Sequence, residues 1–487
     1  MSLTTSNLTS GFIDLATFDE IERYLYGTLE ATAYFVRETR KSTWFTQVPV
    51  VLSNSSGTPQ FGQDWSVSVS RAGDYLLHTW LRVTIPSIGN SAYLPSASHN
   101  YFVRWTQNLM HNLIKECNIT FNDLVAARFD NYHLDFWAAF TVPDSKRVGY
   151  NNMIGNVSSL TYPWSPANFQ SSLGSNARGL PSATLNLPLP FFYTRDSGVA
   201  LPTAALPYNE MRINFSFRDW TELLVLDNVV APPVANGDTR VVPSASSHVG
   251  TGSSFPISTL PVLTNVGVWA NYAIVSNDER KRMACAPRDI LIEQVQTAPR
   301  QTFAPATNAQ PSYDIRFSHA IKALFFAARN KTLASEWSVY GTASPQGSGI
   351  NNWTVKPDQG FDPISQTSLV YENTARLSQM GSDYFSLVNP WYHAPSVPDR
   401  TGYHCYSYSL DFFCLDPMGS TNYGKLTNVS IRPEASAAAI ASAGANAAIA
   451  LPDLRFNTFT QSYDFIVTVV NNNVIRVSGG ALGFPVL

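Results

Sequence analysis

Short segments in which apolar and polar residues alternate constrain the fold of this chain more than any other feature. Clear examples are residues 65–70 (WSVSVS), 75–85 (YLLHTWLRVTI), 211–217 (MRINFSF) and 463–470 (YDFIVTVV). Alternation with a period of two places successive side chains on opposite faces of a β-strand. The 487 residues could hold two large β domains of roughly 200–250 residues each. The pattern therefore predicts an all-β protein made of β-sandwiches.

The composition agrees with sandwiches that carry long loops. Charged residues make up only 14% of the chain and aromatic residues 13%, and there are 31 prolines against 27 glycines. Because so few charges remain for solubility, we expect partners to cover much of the surface. The net charge is −3 and the longest basic cluster, Arg280 to Arg282, follows an acid. Direct nucleic-acid binding needs clustered basic residues, so it is not expected.

Cysteines and targeting signals narrow the setting. Cys117, Cys285, Cys405 and Cys414 lack C-x-x-C spacing, so the sequence predicts neither a zinc site nor a disulfide framework. A reducing compartment is the simpler interpretation. The N-terminal stretch MSLTTSNLTS does not resemble a secretory signal, and no apolar run is long enough to predict a membrane-spanning helix.

Four segments depart from the alternating pattern. Residues 12–26 repeat apolar side chains every three or four positions and predict an amphipathic N-terminal helix. Residues 123–140 (DLVAARFDNYHLDFWAAF) predict a helical insert. Residues 227–262, rich in Pro, Ser, Gly and Asn, predict a long loop. The alanine-rich residues 435–453 predict an insertion in a surface loop, with a helical turn.

The polar run 277–283 separates two halves that resemble each other faintly. Each half contains a strand, a polar insert, an aromatic pair, a proline-rich loop and another alternating strand, in that order. We predict an N-terminal arm at 1–40, a first domain at 41–276, a linker at 277–289 and a second domain at 290–487. Near the C-terminus, Asn471 to Asn473 predict the turn of a β-hairpin between 463–470 and 474–478.

One stretch, DPMGSTNYGKLTN (416–428), nearly spells the phosphate-binding loop G-x-x-x-x-G-K-[ST]. Gly419, Gly424 and Lys425 fit, but Leu426 stands where the loop needs Ser or Thr, and Thr427 comes one residue late. A phosphate loop also requires a helix directly after it. The residues after Lys425 alternate like a strand, and Tyr403 to Phe413 predict a strand before the loop. The sequence therefore favours a turn between two strands.

No other pattern assembles a catalytic or binding site. His393 and His404 are eleven residues apart, G-x-S-x-G is absent, and the acids Asp14, Asp19, Glu20 and Glu22 crowd the predicted N-terminal helix. We predict no catalytic, cofactor-binding or metal-binding residues, no cofactor, and no enzyme activity. A carbohydrate-binding or sandwich-type glycoside-acting β protein remains the alternative, and an ATPase is a weaker one.

Several long blocks resemble the major capsid proteins of iridoviruses and, more loosely, those of other nucleocytoplasmic large DNA viruses. They cover most of the chain in order and include FGQDWSVSVSRAGDYLLHTWL (61–81), FNDLVAARFD (121–130), PYNEMRINFSFRDW (207–220), WANYAIVSNDERKRMACAPRDILIEQVQ (269–296), RFSHAIKALFFAARN (316–330), GYHCYSYSL (402–410), DPMGSTNYGKLTNVS (416–430) and VVNNNVIRVSGGALGFPVL (469–487).

The resemblance implies a double jelly roll: two consecutive eight-stranded β-sandwiches with short helical inserts and an N-terminal arm. It implies a structural virion protein that forms homotrimeric, pseudo-hexagonal capsomers tiling an icosahedral shell. The implied partners are neighbouring capsomers and minor capsid, penton and cement proteins, with the arm near an internal viral membrane and no direct contact with nucleic acid. It implies a location in the virion capsid and assembly in the host cytoplasm. The segments 227–262 and 435–453 depart from the family pattern.

Overall fold

Two sets of antiparallel sheets follow one another along the chain, as the alternating segments predict. In a computed structural model, the described residues are 12–17, 19, 21, 42–88, 100–161, 180–234, 238–243, 260–331, 334–342, 361–444 and 461–483. The chain divides into two units, residues 1–44 and 45–487. In the first unit residues 12–16 are helical, and most of the predicted helix 12–26 lies outside the described residues. The sheets and helices below all belong to the second unit.

The first set of strands occupies residues 45–275. The strands are β1 (Phe45–Val51), β2 (Ser53–Gly57), β3 (Asp64–Ser68), β4 (Tyr75–Ile85), β5 (Asn100–Trp105), β6 (Ile114–Phe121), β7 (Leu124–Asp130), β8 (Ala183–Pro188), β9 (Met211–Phe217), β10 (Leu224–Val234), β11 (Asp238–Pro243) and β12 (Thr264–Val275). The helices in and after this set are α1 (Leu109–Leu113), α2 (Asn131–Thr141), α3 (Asp144–Ile154), α4 (Ser158–Thr161) and α5 (Asn277–Cys285).

The second set occupies residues 288–483. Its strands are β13 (Arg288–Thr297), β14 (Gln301–Phe303), β15 (Tyr313–Asp314), β16 (Ala320–Asn330), β17 (Ile364–Tyr371), β18 (Thr374–Gly381), β19 (His404–Ser407), β20 (Thr421–Asn422), β21 (Val429–Ala435), β22 (Tyr463–Ser478) and β23 (Ala481–Gly483). Its helical segments are a π-helix (Tyr384–Val388), α6 (Asn389–His393) and α7 (Ala437–Ala443). No described helix is both long and apolar enough to cross a membrane.

Strand order shows that each set is a jelly roll. The first roll pairs a sheet β1-β12-β4-β8 with a sheet that contains β3-β9-β6-β7, and the second pairs β13-β22-β16-β19 with β15-β21-β17-β18. Position by position, these orders follow the same path along the chain, with eight strands in each roll. This is the connectivity of a double Greek key. The predicted all-β double jelly roll is confirmed.

The rolls share their interior. No sheet of the described residues contains strands from both sides of α5. However, one buried cluster joins side chains of the first roll, such as Phe136, to side chains of the second, such as Phe325 and Ile466. The domain limits at 1–40, 41–276, 277–289 and 290–487 therefore stay a prediction.

The faint similarity of the two halves corresponds to two equivalent hairpins. Asn122 and Asp123, with φ of 48° and 66°, join β6 to β7, while Glu372 and Asn373, with φ of 47° and 64°, join β17 to β18. Two successive residues with positive φ form the turn that suits a two-residue hairpin. The predicted helix over 123–140 is wrong in its first half, because residues 124–130 are β7 and the helix α2 starts at Asn131.

The asparagines near the C-terminus do not form the predicted hairpin turn. The strand β22 runs unbroken from Tyr463 to Ser478 through all three of them. Asn471 and Asn473 are buried there and bond to the side chains of Gln296 and Gln294 on β13, at 2.9 Å each. Cross-strand amide pairs satisfy the polar groups that would otherwise favour a turn.

Two other predicted loops contain regular structure. The segment 227–262 includes most of β10 and all of β11, which pair with each other and, through β10, with β5. In the alanine-rich segment, Ala435 ends β21 and residues 437–443 form α7. Ser436 caps this helix by accepting a bond from the amide of Ala439. Residues 445–453 of the insertion lie outside the described residues.

The charged run 277–283 lies in α5 and fastens this helix to the first roll. Asp278 and Glu279 occupy its first turn and Arg282 its last, which suits the helix dipole. Arg280 donates to both carboxylate oxygens of Asp74, at 2.7 and 2.9 Å. Burial raises the pKa of the Asp74 carboxyl, but the bonds from Arg280 and the Val275 amide outweigh it and leave this pKa below its ordinary value.

We expect Arg280→Ala to lower the free energy of unfolding by about 1–3 kcal/mol at neutral pH, because it leaves the Asp74 carboxylate buried with one partner fewer. A depressed carboxyl pKa stabilises the fold above the unfolded value of 3.8, and this stabilisation is lost as the pH falls through the lower folded value. The difference between the two proteins should therefore shrink below pH 4. Denaturant titrations at pH 7 and pH 3 measure it. Arg282→Ala is the matched control, and an equal loss in both variants would contradict the assignment.

Candidate functional site

The most elaborate arrangement of side chains lies where the two jelly rolls meet. Helix α2 begins directly after β7, because the Asp130 side chain accepts a bond from the amide of His133 and caps the helix. Its Phe136 and Phe140 are fully buried against Phe325 of β16, with ring centroids 5.9 and 5.5 Å apart. A helix of the first roll thus packs on the outer face of a strand of the second.

Asp135 of α2 forms the polar centre of this junction. One of its carboxylate oxygens accepts from Asn108 at 3.1 Å and contacts His111 Nδ1 at 2.7 Å. The other accepts from Ser338 at 2.7 Å and Tyr340 at 2.8 Å, both in the second half of the chain. All five residues are buried. A buried carboxylate with four partners fixes the relative position of the segments that supply them.

His111 extends this network to helix α3. Because its Nδ1 faces the Asp135 carboxylate, Nδ1 donates, and Nε2 then accepts from the Tyr150 hydroxyl at 2.6 Å. Burial, reinforced by the negative charge of Asp135, raises the pKa of Tyr150, so its hydroxyl keeps its proton. The arrangement is a chain of hydrogen bonds from Asp135 through His111 to Tyr150, in which Asp135 and His111 are buried and Tyr150 is half-buried.

A second polar cluster contains two cations around one acid. Glu293 of β13 accepts from Arg195 of the first roll and from Lys322 of β16, the latter at 2.5 Å. The carbonyl oxygens of Phe413 and Cys414 accept from Arg195 and Lys322, respectively. Lys322 is fully buried. Each charge thus has a partner, which is the condition for keeping ion pairs inside a protein.

Aromatic rings flank the same arginine. The Arg195 guanidinium lies 4.6 Å from the ring centre of Trp137 and 4.8 Å from that of Phe413. Nearby, burial and the charge of Arg195 lower the pKa of His133 to about 3, so this histidine is neutral. The cluster joins the end of α2 to the loop that follows β19.

Trp337 forms the third tie between the rolls. The guanidinium of Arg218 from the first roll lies 3.5 Å from its ring centre, and that of Arg329 from the second lies 4.0 Å away. Its indole N–H donates to the carbonyl of Glu222 at 2.9 Å. Residues 334–342 of the second half are therefore held against the first.

The phosphate-loop motif forms a turn between strands. Gly419 has φ of 119°, and residues 423–425 form a 3₁₀ turn. Lys425 ends this turn, and the strand predicted from the alternating residues after it begins only at Val429, as β21. The predicted strand before the loop is also shorter than expected, because β19 comprises only His404–Ser407. The required helix is replaced by β21.

Several backbone amides in the motif and directly after it already have partners. The amides of Thr427 and Asn428 donate to the Glu372 carboxylate at 2.5 and 3.1 Å, and the amide of Gly424 donates to the Asn422 side chain at 3.0 Å. A carboxylate in that position repels phosphate. The motif therefore does not form a nucleotide site in this structure.

A cluster that resembles a catalytic triad also fails on geometry. The Nε2 atom of His404 contacts both Asp362 Oδ2 at 2.8 Å and Ser382 Oγ at 2.7 Å, and Nδ1 faces a backbone carbonyl. A triad needs the acid on one ring nitrogen and the nucleophile on the other. His404 is fully buried and stacks on Phe326. Its role is to pack the core.

The remaining residues singled out from the sequence are dispersed. His393 bonds the Leu410 carbonyl at 2.9 Å, whereas His404 contacts Asp362 and Ser382. The four cysteines are free, and burial raises the pKa of the Cys117 and Cys405 thiols. Within the described residues no group of His, Cys, Asp and Glu could hold a metal ion.

Sequence reasoning missed the residues of the junction. A charged residue inside an otherwise apolar strand, as Lys322 is in AIKALFFAA, is a signal that could have identified one of them. Asp135 gave a similar signal, since it interrupts an apolar helix face. Their partners come from distant segments and leave no local pattern.

We expect Asp135→Ala to lower the free energy of unfolding by roughly 3–5 kcal/mol, because it leaves buried donors from both rolls without an acceptor. Differential scanning calorimetry at a fixed scan rate should show a lower unfolding temperature. Asp144→Ala, on the exposed first turn of α3, is the matched control and should change stability by less than about 1 kcal/mol. Equal effects of the two substitutions would show that the network does not hold the rolls together.

Comparisons with known proteins agree with this architecture. Residues 33–274 match the family model "Major capsid protein N-terminus", and residues 279–483 match "Large eukaryotic DNA virus major capsid protein". Solved structures with the same fold include the quasi-atomic model of the PBCV-1 virus capsid, with a TM-score of 0.68 at 19% identity over 93% of this chain and 100% of that chain. The Faustovirus major capsid protein gives 0.66 at 13% identity over 95% of both chains.

Relatives at higher identity carry one function. The major capsid protein of Costelytra zealandica iridescent virus is 63% identical over the whole of both chains, and that of Lymphocystis disease virus 1 is 47% identical, also over the whole of both. These are structural proteins, so the expected non-enzymatic role is confirmed, and the glycoside-acting and ATPase alternatives lose their support. The chain belongs to the family of iridovirus-type major capsid proteins of large eukaryotic DNA viruses, and it is a structural component of the virion capsid.

Proposed function

We propose that three copies of this chain assemble into a homotrimeric capsomer with a pseudo-hexagonal outline, and that such capsomers tile an icosahedral shell. The observation that carries this proposal is the shared core of the two jelly rolls, which makes each chain a rigid pair of similar units. Three such pairs supply six similar units, the number that a hexagonal tile needs. Closed cyclic symmetry is the usual arrangement of identical subunits.

The surface composition supports extensive contact with other subunits. Large apolar side chains are exposed on several elements of the described chain, for example Trp391, Tyr392 and Leu410. An exposed apolar group of this size is costly in water and typical of an interface. Capsomer contacts repeated many times can each be weak and still hold a shell together.

The remaining partners follow from membership of the capsid family rather than from these contacts. We propose that capsomers meet minor capsid, penton and cement proteins, that the N-terminal arm (1–40) lies near an internal viral membrane, and that the shell forms in the host cytoplasm. The net charge of −3 is consistent with a chain that does not touch the genome directly. The absence of catalytic, cofactor and metal residues stays a prediction.

Light scattering on the purified chain tests the trimer. We expect a particle with three times the 53.6 kDa mass of one chain. This mass should persist on dilution to micromolar concentration, because obligate interfaces are large and apolar. Electron microscopy of the same sample should show particles with three-fold symmetry and a hexagonal outline. A stable particle with the mass of a single chain would contradict the proposal.

A further inference from the structure

We propose that the helix at residues 382–393 of one copy docks into a groove on the first jelly roll of a second copy, in a head-to-tail contact. This helix comprises the π-helix Tyr384–Val388 and α6. The groove lies between β4, β8 and helices α2 and α3, and encloses about 870 Å³. The inference rests on the proposed trimer and specifies which surfaces form it.

The two rolls are equivalent in detail along the strands β4 and β16. Each occupies the third position in its sheet order and contains 11 residues. Each also carries one extra, bulged residue at its third position, Leu77 in β4 and Lys322 in β16, opposite the equivalent strands β12 and β22. Counting along the strands therefore makes Trp80 the equivalent of Phe325.

The junction within one chain serves as the template for the contact between chains. Phe325, on the outer face of β16, is covered by Phe136 and Phe140 of α2. Helix α2 follows β7, the second strand of the hairpin in the first roll. In this junction, the helix that follows the hairpin of one roll covers the outer face of β16 in the other roll. The strand equivalent to β16 in the first roll is β4.

The second roll has such a helix. Among the described residues, no part of the same chain buries its apolar face. Residues 382–393 follow β18, the second strand of the equivalent hairpin. Leu387, Val388, Trp391 and Tyr392 are exposed to 52, 42, 74 and 73%. Their spacing equals that of the junction residues Phe136, Trp137, Phe140 and Thr141 on α2. Four large apolar side chains on one face, in the place of a buried equivalent, indicate a missing partner.

The first roll has the corresponding receiving surface, and it too is open. Trp80 lines the groove and stacks on Trp269 of β12, with ring centroids 6.2 Å apart. Asn186 and Pro188 of β8 and Met153 of α3 also line the groove. The floor of the groove is therefore the position that Phe325 occupies in the junction within the chain.

The contact joins two different patches, the helix of the second roll and the groove of the first. A reciprocal two-fold dimer would present both patches of one chain to a single neighbour, whereas the head-to-tail contact proposed here presents them to two different neighbours. Such a heterologous contact either closes into a ring or extends as a filament. Alternating the contact within a chain with the contact between chains gives a ring of first and second rolls, which closes at six rolls in a trimer.

Cysteine cross-linking tests the direction of the contact. In a Cys285→Ser background, which removes the exposed native thiol, chains with Trp391→Cys are mixed with chains with Asn186→Cys under reassembly conditions, and a short bis-maleimide is added. We expect cross-linked dimers only in the mixture, and covalent trimers when both cysteines are on one chain. Cross-linking of Trp391→Cys chains alone would overturn the inference. A double variant that stops at covalent dimers would indicate a reciprocal two-fold contact and overturn it too, as would one that forms ladders beyond the trimer.

A second variant measures the strength of the contact. Trp391→Glu should raise the dissociation constant of the trimer by at least about 30-fold, the size of effect found for central aromatic residues of interfaces. Leu260→Glu, at a residue exposed to 67% and outside the groove lining, should leave it unchanged. Far-UV circular dichroism checks that both variants keep their β structure.

The outcomes separate the two proposals. A wild-type chain that is monomeric by light scattering contradicts the proposed trimer itself. A wild-type trimer that resists Trp391→Glu and shows no cross-link between positions 391 and 186 leaves the trimer standing and overturns only the assignment of its surfaces.

Discussion

The outer face of β16 cannot be buried by its own sandwich, and the architecture of the protein follows from how another part of the chain buries it. Leu324 and Phe326 point into the core of the second roll, whereas Phe325 belongs to the core shared with the first. A strand buried on both faces resembles a central strand of a three-layered protein more than a sandwich strand. Helix α2 provides the third layer. The rigid unit of this protein is therefore the pair of rolls, which is already formed within one chain before chains assemble.

The polar groups at this junction fix the relative position of the two rolls more than they stabilise the fold. Replacing buried ion pairs and networks by apolar groups of similar shape is often neutral or stabilising, whereas removing one partner is costly. Asp135 and Glu293 each receive donors from both rolls. Apolar contacts have no preferred direction, whereas each of these acids bonds to its donors in one alignment of the two rolls. A capsid subunit needs such an alignment, because an error in the angle between two rolls is repeated in every copy of the shell.

The sequence predicted those parts of the fold in which one face of a strand meets water. Tyr75–Ile85 shows the alternation directly and is β4, because its outer face is partly exposed. Where both faces are covered, as in β16, alternation disappears and only length and β-branched or aromatic content remain as signals. Residues 124–130 misled the prediction because Leu124 and Val125 are apolar yet exposed near the hairpin turn. The Asn122–Asp123 pair was the better signal, because its turn determines the structure of residues 124–130 and the helical spacing of those residues does not. The junction site could not be predicted, since Ser338 and Tyr340 reach Asp135 from more than 200 positions away.

The apparent phosphate loop is another case in which a local sequence pattern suggests one structure and contacts with distant residues produce a different one. Glycine spacing reflects the backbone conformations that a turn requires, and turns between strands and phosphate loops share that requirement. The two differ in what the backbone amides face. Here Glu372, from the turn of the β17–β18 hairpin, takes the amides of Thr427 and Asn428. On the other side of the turn, the hydroxyl of Tyr423 meets those of Tyr371 and Tyr408, the latter at 2.5 Å, and burial raises the pKa of all three. Tyr423, Thr427 and Asn428 thus bind the segment before β21 to the β17–β18 hairpin and to Tyr408, the residue after β19. The glycine spacing alone does not distinguish this arrangement from a nucleotide site.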